Sequence, residues 1–227
     1  MKFKSQVITQ ASGSVGGITY AHNKGGLYQR ARSIPTDPAS ARQIAMRNAM
    51  ATLAVRWTQN VTATERAAWA VYAANVPIVD SLGDSIFISA LAWYVKLNTL
   101  RIQASVPVVD AGPTVFTTAD ITIPTQTFGA ALDQIVVTYF ATDAWAGEAG
   151  GYLLVYCSRP QSAGINFFKG PYRLAGKVTG AAVPPTPPAT IALPFPVAAG
   201  NQVFVKYVAV RADARASGII RSSGIAA

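Results

Sequence analysis

Few residues in this chain could do chemistry. His22 and Cys157 are the single histidine and the single cysteine, and ten carboxylates accompany them. A thiol–imidazole pair would need both groups and an orienting acid to converge. His22 lies in a turn-forming stretch, His22-Asn23-Lys24-Gly25-Gly26, and Cys157 ends an apolar run, where cysteine usually serves as a small hydrophobe. A Cys/His zinc centre needs about four such ligands, and one cysteine excludes a disulfide within the chain. The acids are scattered, with no DxD or ExxE pair. Asp143-Ala144-Trp145-Ala146-Gly147-Glu148 comes nearest to a sugar site, since an indole face stacks on pyranose rings and two carboxylates flank it. Hydrolysis by that pair would need both acids to face one cleft, and the stretch reads equally as a hairpin loop with a partly buried Trp145. Gly13–Gly17 is not a phosphate loop, because no Gly-Lys-Ser/Thr follows. Asn60-Val61-Thr62 is formally a glycosylation sequon, with little meaning unless the chain is secreted. The expectation is therefore a binding or structural protein rather than an enzyme, with no catalytic residue, no bound metal and no cofactor.

The elements that would position any site begin with bulk composition. The chain has 227 residues, of which 51% are hydrophobic and 13% charged, which excludes a disordered, solvating chain and allows a sizeable core. No apolar run reaches the roughly 18 residues that a spanning helix needs, so no membrane association is expected. The basic start Met1-Lys2-Phe3-Lys4-Ser5-Gln6 leads into no apolar segment, so no secretory leader is expected either.

The net charge of +9 is uneven. Residues 1–103 carry eleven Lys/Arg against four acids, and residues 104–227 carry eight against six. A basic arm of this kind meets an acidic protein surface or nucleic acid. The protein surface is favoured, since there is no aromatic–basic RNA-binding motif, zinc finger or helix with a dense basic face. Ordinary solubilising charge is the competing explanation.

Three zones follow along the chain. Residues 1–37 read as an extended arm with a β-hairpin. Val7-Ile8-Thr9 suggests a strand, Gly13, Gly16 and Gly17 break it, and Ile18–Ala21 pairs with the alternating Leu27–Arg32. A lone hairpin is marginal in water and must pack on the helices or on another protein. Residues 38–104 read as a small helical region. Asp37-Pro38 signals a first helix with Pro at its opening position, and Met46, Met50, Leu53 and Trp57 form its apolar stripe. Thr62-Ala63-Thr64-Glu65 is a capping box for a second helix that carries Trp69 and Tyr72. Asp84 or Ser85 is the expected cap of a third, with Leu91, Tyr94, Val95 and Asn98. Residues 105–227 hold about seven runs rich in β-branched and aromatic residues, separated by turn signals, the pattern of an all-β sandwich. Val183-Pro184-Pro185-Thr186-Pro187-Pro188 reads as a stiff surface loop, with a polyproline ligand as the minor reading. The fold class expected is α+β.

Two resemblances add to this. The long strand Gln202–Val210 and the closing stretch Ala216–Ser223 resemble the end of a fibronectin type III or related immunoglobulin-like sandwich. Roughly residues 10–100 resemble small structural proteins encoded by tailed bacteriophages and prophages. The matching pieces are Gly13-Ser14-Val15-Gly16-Gly17-Ile18-Thr19-Tyr20, Leu27–Arg32, Pro35-Thr36-Asp37-Pro38 and Val61-Thr62-Ala63-Thr64-Glu65-Arg66-Ala67-Ala68-Trp69, followed by Phe87–Asn98. Val61 stands where a leucine is more usual. The resemblance implies a component of the virion, assembled in the host cytoplasm, with no catalytic residues.

The expected function is a capsid-associated decoration, cement or minor capsid protein that docks by its basic N-terminal half and projects the sandwich. Alternatives are a tail or head–tail connector component, a host-surface or glycan-binding adhesin module, and a nucleic-acid-binding protein. The expected partners are a shell or tail protein and further copies of this chain, with nucleic acid less favoured. The expected contact residues are Lys2, Lys4, Tyr20, Lys24, Tyr28, Arg30 and Arg32.

Overall fold

The structure is a computed structural model that describes residues 13–23, 26–79 and 83–227. It is a mixed α+β fold of three helices and twelve strands among the described residues. The chain divides into two compact units, Met1–Ile44 and Ala45–Ala227.

The first unit is built on one antiparallel sheet, β1 (Gly13–Val15), β2 (Ile18–Asn23) and β3 (Gly26–Ala31), in that order. The glycines expected to break a strand instead make a hairpin turn. Val15 pairs with Ile18, leaving Gly16-Gly17 as a two-residue loop. Gly16 has a φ of +57°, which the tight turn of a right-twisted hairpin demands. β2 and β3 pair from Ile18 with Ala31 to Asn23 with Gly26. The strand expected at Val7–Thr9 lies outside the described residues.

Helix α1 spans Ala41–Gln59, three residues later than Pro38 would start it. Ala39 takes a φ of +45°, which breaks any helix begun at Pro38. The Gln43 side chain then accepts from the Ser40 amide at 3.0 Å, closing the new start. The buried stripe also differs from the expected one. Ala49 and Leu53 are buried and Met46 and Trp57 are partly covered, whereas Met50 is 55% exposed. Both stripes advance by three- and four-residue steps, so tertiary packing rather than period turns Ala49 inward and leaves Met50 outside.

Helix α2 (Ala63–Asn75) opens with the full capping box, Thr62 and Glu65 each satisfying the other's backbone amide. Helix α3 (Ala90–Gln103) is capped by Ser89, not by Asp84 or Ser85. Ser85 belongs to the short strand β5 (Ser85–Ile86), paired with β4 (Ile78–Val79), so its backbone is already committed. The three helices enclose an aromatic cluster. Trp69 meets Tyr94 edge-on at 5.6 Å, and Tyr72 meets Trp93 edge-on at 5.3 Å. Trp69 is wholly buried. A ring of that size contributes about 4–6 kcal/mol of hydrophobic stabilisation by area.

Seven strands complete the second unit. β6 (Thr125–Gly129), β7 (Gln134–Thr138) and β10 (Ala189–Ala192) form one antiparallel sheet in the order β10-β7-β6. β8 (Tyr152–Cys157), β9 (Arg173–Thr179), β11 (Gln202–Val210) and β12 (Ile220–Ile225) form another, ordered β12-β11-β8-β9. One core takes Ile135 and Val137 from the first sheet and Leu153, Val155, Val205 and Tyr207 from the second. β8 is buried on both faces. Its alternate residues Tyr152, Leu154 and Tyr156 join Val208, Val210 and Ala104 in a further cluster.

The C-terminal end of α3 and the segment after it lie over that outer face. The Tyr156 hydroxyl donates to the Gln103 side chain at 2.9 Å, and Lys177 Nζ bonds the Ala104 carbonyl. Buried Arg101 donates to the carbonyls of Pro107 and Arg211, at 2.6 and 3.2 Å. Gly112 packs directly on α2. A Cβ there would fall 2.7 Å from the backbone of Ala68 and Trp69. Helices and sheets therefore share one compact unit.

Candidate functional site

The expected contact residues gather on the first unit's sheet, and its register sorts them by face. Residues directly opposite across an antiparallel pair share a face. Tyr20 pairs with Gln29, and Ile18 with both Val15 and Ala31, so these lie on one face together with Leu27. Tyr28 pairs with Ala21 and Arg30 with Thr19, placing both on the other face. Arg32 follows Arg30 in the same alternation, its amide held by the Gly17 carbonyl at 2.8 Å. Ser14 and Thr19 join their hydroxyls at 2.8 Å on this second face. The sheet thus has an apolar side, with Val15, Ile18, Tyr20 and Leu27, and a basic side, with Tyr28, Arg30 and Arg32. Of the expected contact residues, Tyr20 therefore lies on one face and Tyr28, Arg30 and Arg32 on the other. Lys2, Lys4 and Lys24 lie outside the described residues.

No described residue from 13 to 44 is buried. Val15 is 75% exposed and Ile34 81%. Arg30 and Arg32 make no ion pair among the described residues. A three-stranded sheet usually gains its stability by covering one face, and here no described residue of either face is buried.

Much of the remaining basic charge in residues 1–103 is committed inside the second unit. Arg56 grips Asp110 through two hydrogen bonds of 2.8 and 2.7 Å. The Tyr94 hydroxyl adds a third to the same carboxylate, also at 2.8 Å. The Arg56 hydrogen bonds hold the Asp110 carboxyl below the usual carboxylate range. Burial, with the bond to Asp110, raises the Tyr94 hydroxyl well above its ordinary value. Arg66 caps the end of α1 by donating to the carbonyls of Trp57 and Thr58. Lys96 sits 4.3 Å over the Trp93 ring.

The groups considered for chemistry are also placed. His22 lies in β2 paired with Leu27, not in a turn. Cys157 is fully buried, and burial pushes its thiol up to about 11. Trp145 has no exposed surface, packs at 5.3 Å from Tyr139 and bonds the Asp143 carboxylate, so its ring offers no face to a sugar. Asp143 also accepts from Thr122, and Glu148 is held by Arg211 at 2.6 and 2.9 Å. The two acids therefore hold loops rather than face one cleft.

The sequence reading missed the division of the arm into two faces. The signal was present in the alternation of Leu27–Arg32, but the register against Ile18–Ala21 was needed to use it. It also missed the clamp on Asp110. Asn98 contributes to that clamp through reciprocal bonds with Val109 at 3.0 and 2.9 Å.

No family model matches the chain, and no match was found among curated proteins or solved structures.

Proposed function

We propose that this chain is a structural protein of a tailed-bacteriophage particle. Its role would be that of a capsid-associated decoration, cement or minor capsid protein, located in the virion. It docks through its N-terminal arm onto a shell or tail protein and presents its β-rich region as an immunoglobulin-like sandwich. The observation that carries this reading is the arm sheet, whose register sorts an apolar face from a basic face, with no described residue buried. Such a surface suits repeated, moderate contacts multiplied by particle symmetry. The ordered series of short motifs from Gly13 to Asn98 supplies the phage assignment. The order β10-β7-β6 against β12-β11-β8-β9, with the chain crossing between sheets after β7, β9 and β10, supports the fibronectin type III-like reading.

The test is mass spectrometry of density-purified particles with copy-number estimation. Copies in the hundreds, alongside the major shell protein, are expected. A count of about six to twelve would move the protein to the connector or tail. Absence from particles would end the virion reading.

A further inference from the structure

Charge in the second unit is strongly segregated. Residues 45–148 hold five Lys/Arg and eight acids, whereas residues 149–227 hold eight Lys/Arg and a single acid, Asp213. Of those eight cations, Arg211 is paired with Glu148, Arg215 with Asp213, and Lys177 with the Ala104 carbonyl. Arg159, Lys169, Arg173 and Arg221 make no ion pair among the described residues. Arg159, Arg173 and Arg221 line two adjoining hollows on the sheet β12-β11-β8-β9 and the loop between β8 and β9.

The first hollow, of about 190 Å³, is walled by Phe167, Phe168, Tyr172 and Phe204, with Arg221 at its side. The second, of about 300 Å³, lies between Arg159 and Arg173, with Phe168 and Phe195 as apolar wall. Phe168 is common to both. The site is braced from beneath. Phe168 stacks on Phe204 at 5.6 Å and meets Tyr172 edge-on at 5.2 Å. The Arg159 guanidinium is held 5.4 Å over the Phe195 ring. The loop is tied to β11 where Ser158 and Gln161 bond Phe204 and Gln202. The Arg159 fork, held over an aromatic ring, loses little freedom on binding a carboxylate.

We infer that these two hollows form a binding site for an acidic peptide segment of a partner protein, which seats an apolar side chain against Phe168 while its carboxylates engage Arg159, Arg173 and Arg221. Charge complementarity selects an anion, and arginine at all three lining positions selects a forked acceptor. The smaller hollow is the size of one large side chain. Single-stranded nucleic acid stacks on a run of well-exposed ring faces, whereas of the lining rings Phe167 is 74% exposed, Phe168, Tyr172 and Phe195 are half-buried, and Phe204 is buried. The inference stands apart from the virion reading, since it concerns the second unit and not the arm.

The test uses the full chain and fluorescence anisotropy with a fluorescein-labelled pentapeptide, Asp-Glu-Phe-Asp-Glu. Saturable binding is expected, weakening with salt as screening sets in. The double substitution Arg159→Ala with Arg173→Ala is expected to weaken it roughly tenfold or more, as is Phe167→Ala. Arg42→Ala, which removes a cation outside the site, should leave it unchanged. Arg173→Lys, which keeps charge and fold but not the fork, should fall between. Unchanged binding in the double and Phe167 variants would overturn the site. So would failure of the peptide to bind at about 1 mM, or binding of a thymidine oligonucleotide or heparin tetrasaccharide, but not the peptide, at these same residues.

Discussion

The guanidinium of Arg56, on α1, meets the carboxylate of Asp110, in the segment after α3, through hydrogen bonds of 2.8 Å from Nε and 2.7 Å from Nη2. The same carboxylate accepts from Tyr94 Oη, and the Asp110 carbonyl accepts from Trp69 Nε1 at 2.7 Å. One residue thus joins α1, α2 and α3. The Arg56 side chain is 40% exposed, so its own share is modest. Arg56→Ala is expected to cost about 1 kcal/mol. Asp110→Ala also strands the buried Tyr94 hydroxyl, and should cost about 2–3 kcal/mol. Urea titrations of the two variants test this ordering, and equal losses would contradict it.

The same carboxyl sets an acid limit. Its folded pKa lies below its unfolded one, chiefly through the Arg56 hydrogen bonds. The stabilisation is therefore fully present above the unfolded value of about 3.9 and is lost as pH falls through the folded value. Between about pH 4 and pH 2 the wild-type chain should lose more stability than Asp110→Asn, which has no proton to gain. Thermal melts across that range measure the difference.

Tyr152 and Tyr156 sit two residues apart on the same outer face of β8 and should respond oppositely to loss of the hydroxyl. Tyr156 donates to Gln103, whereas the buried Tyr152 hydroxyl has no hydrogen-bond partner among the described residues. Tyr156→Phe is expected to cost about 1 kcal/mol, and Tyr152→Phe to be neutral or stabilising by a similar amount. Denaturation midpoints of the pair decide it.

Cys157 should be inert in the folded chain. It has no exposed surface, and its thiol is raised to about 11 by burial. Iodoacetamide at pH 8 should label it only after unfolding, because the thiolate is the nucleophile. Prompt stoichiometric labelling of native protein would contradict its placement.

On the proposed virion role, the two faces of the arm sheet should contribute to particle binding in different ways. Arg30→Glu and Arg32→Glu should weaken co-sedimentation with particles at low salt, with a smaller effect at high salt. Ile18→Ser and Tyr20→Ala, on the other face, should weaken it with little salt dependence. Identical salt profiles for the two sets would mean that the faces are not used separately.

Local patterns determined a good part of this molecule. The Thr62–Glu65 box starts α2, because its bonds span three residues and need nothing from elsewhere. The alternation of Leu27–Arg32 fits a strand paired with Ile18–Ala21. The unbroken apolar run Tyr152–Cys157 reflects burial on both faces, although nothing in the run says that Ala104 and Gln103 lie over one of them. Tertiary structure decided the rest. Ser40 and Gln43 start α1 in place of Pro38, and Ala49 rather than Met50 turns inward. Arg56 and Arg101 pass from surface charge to internal bracing, while Arg159, Arg173 and Arg221 converge round Phe168 from β12 and from the ends of the β8–β9 loop. The physical reason is range. Caps and alternation are set by neighbours within a few residues, whereas burial and charge pairing depend on groups tens of residues away that only folding brings together.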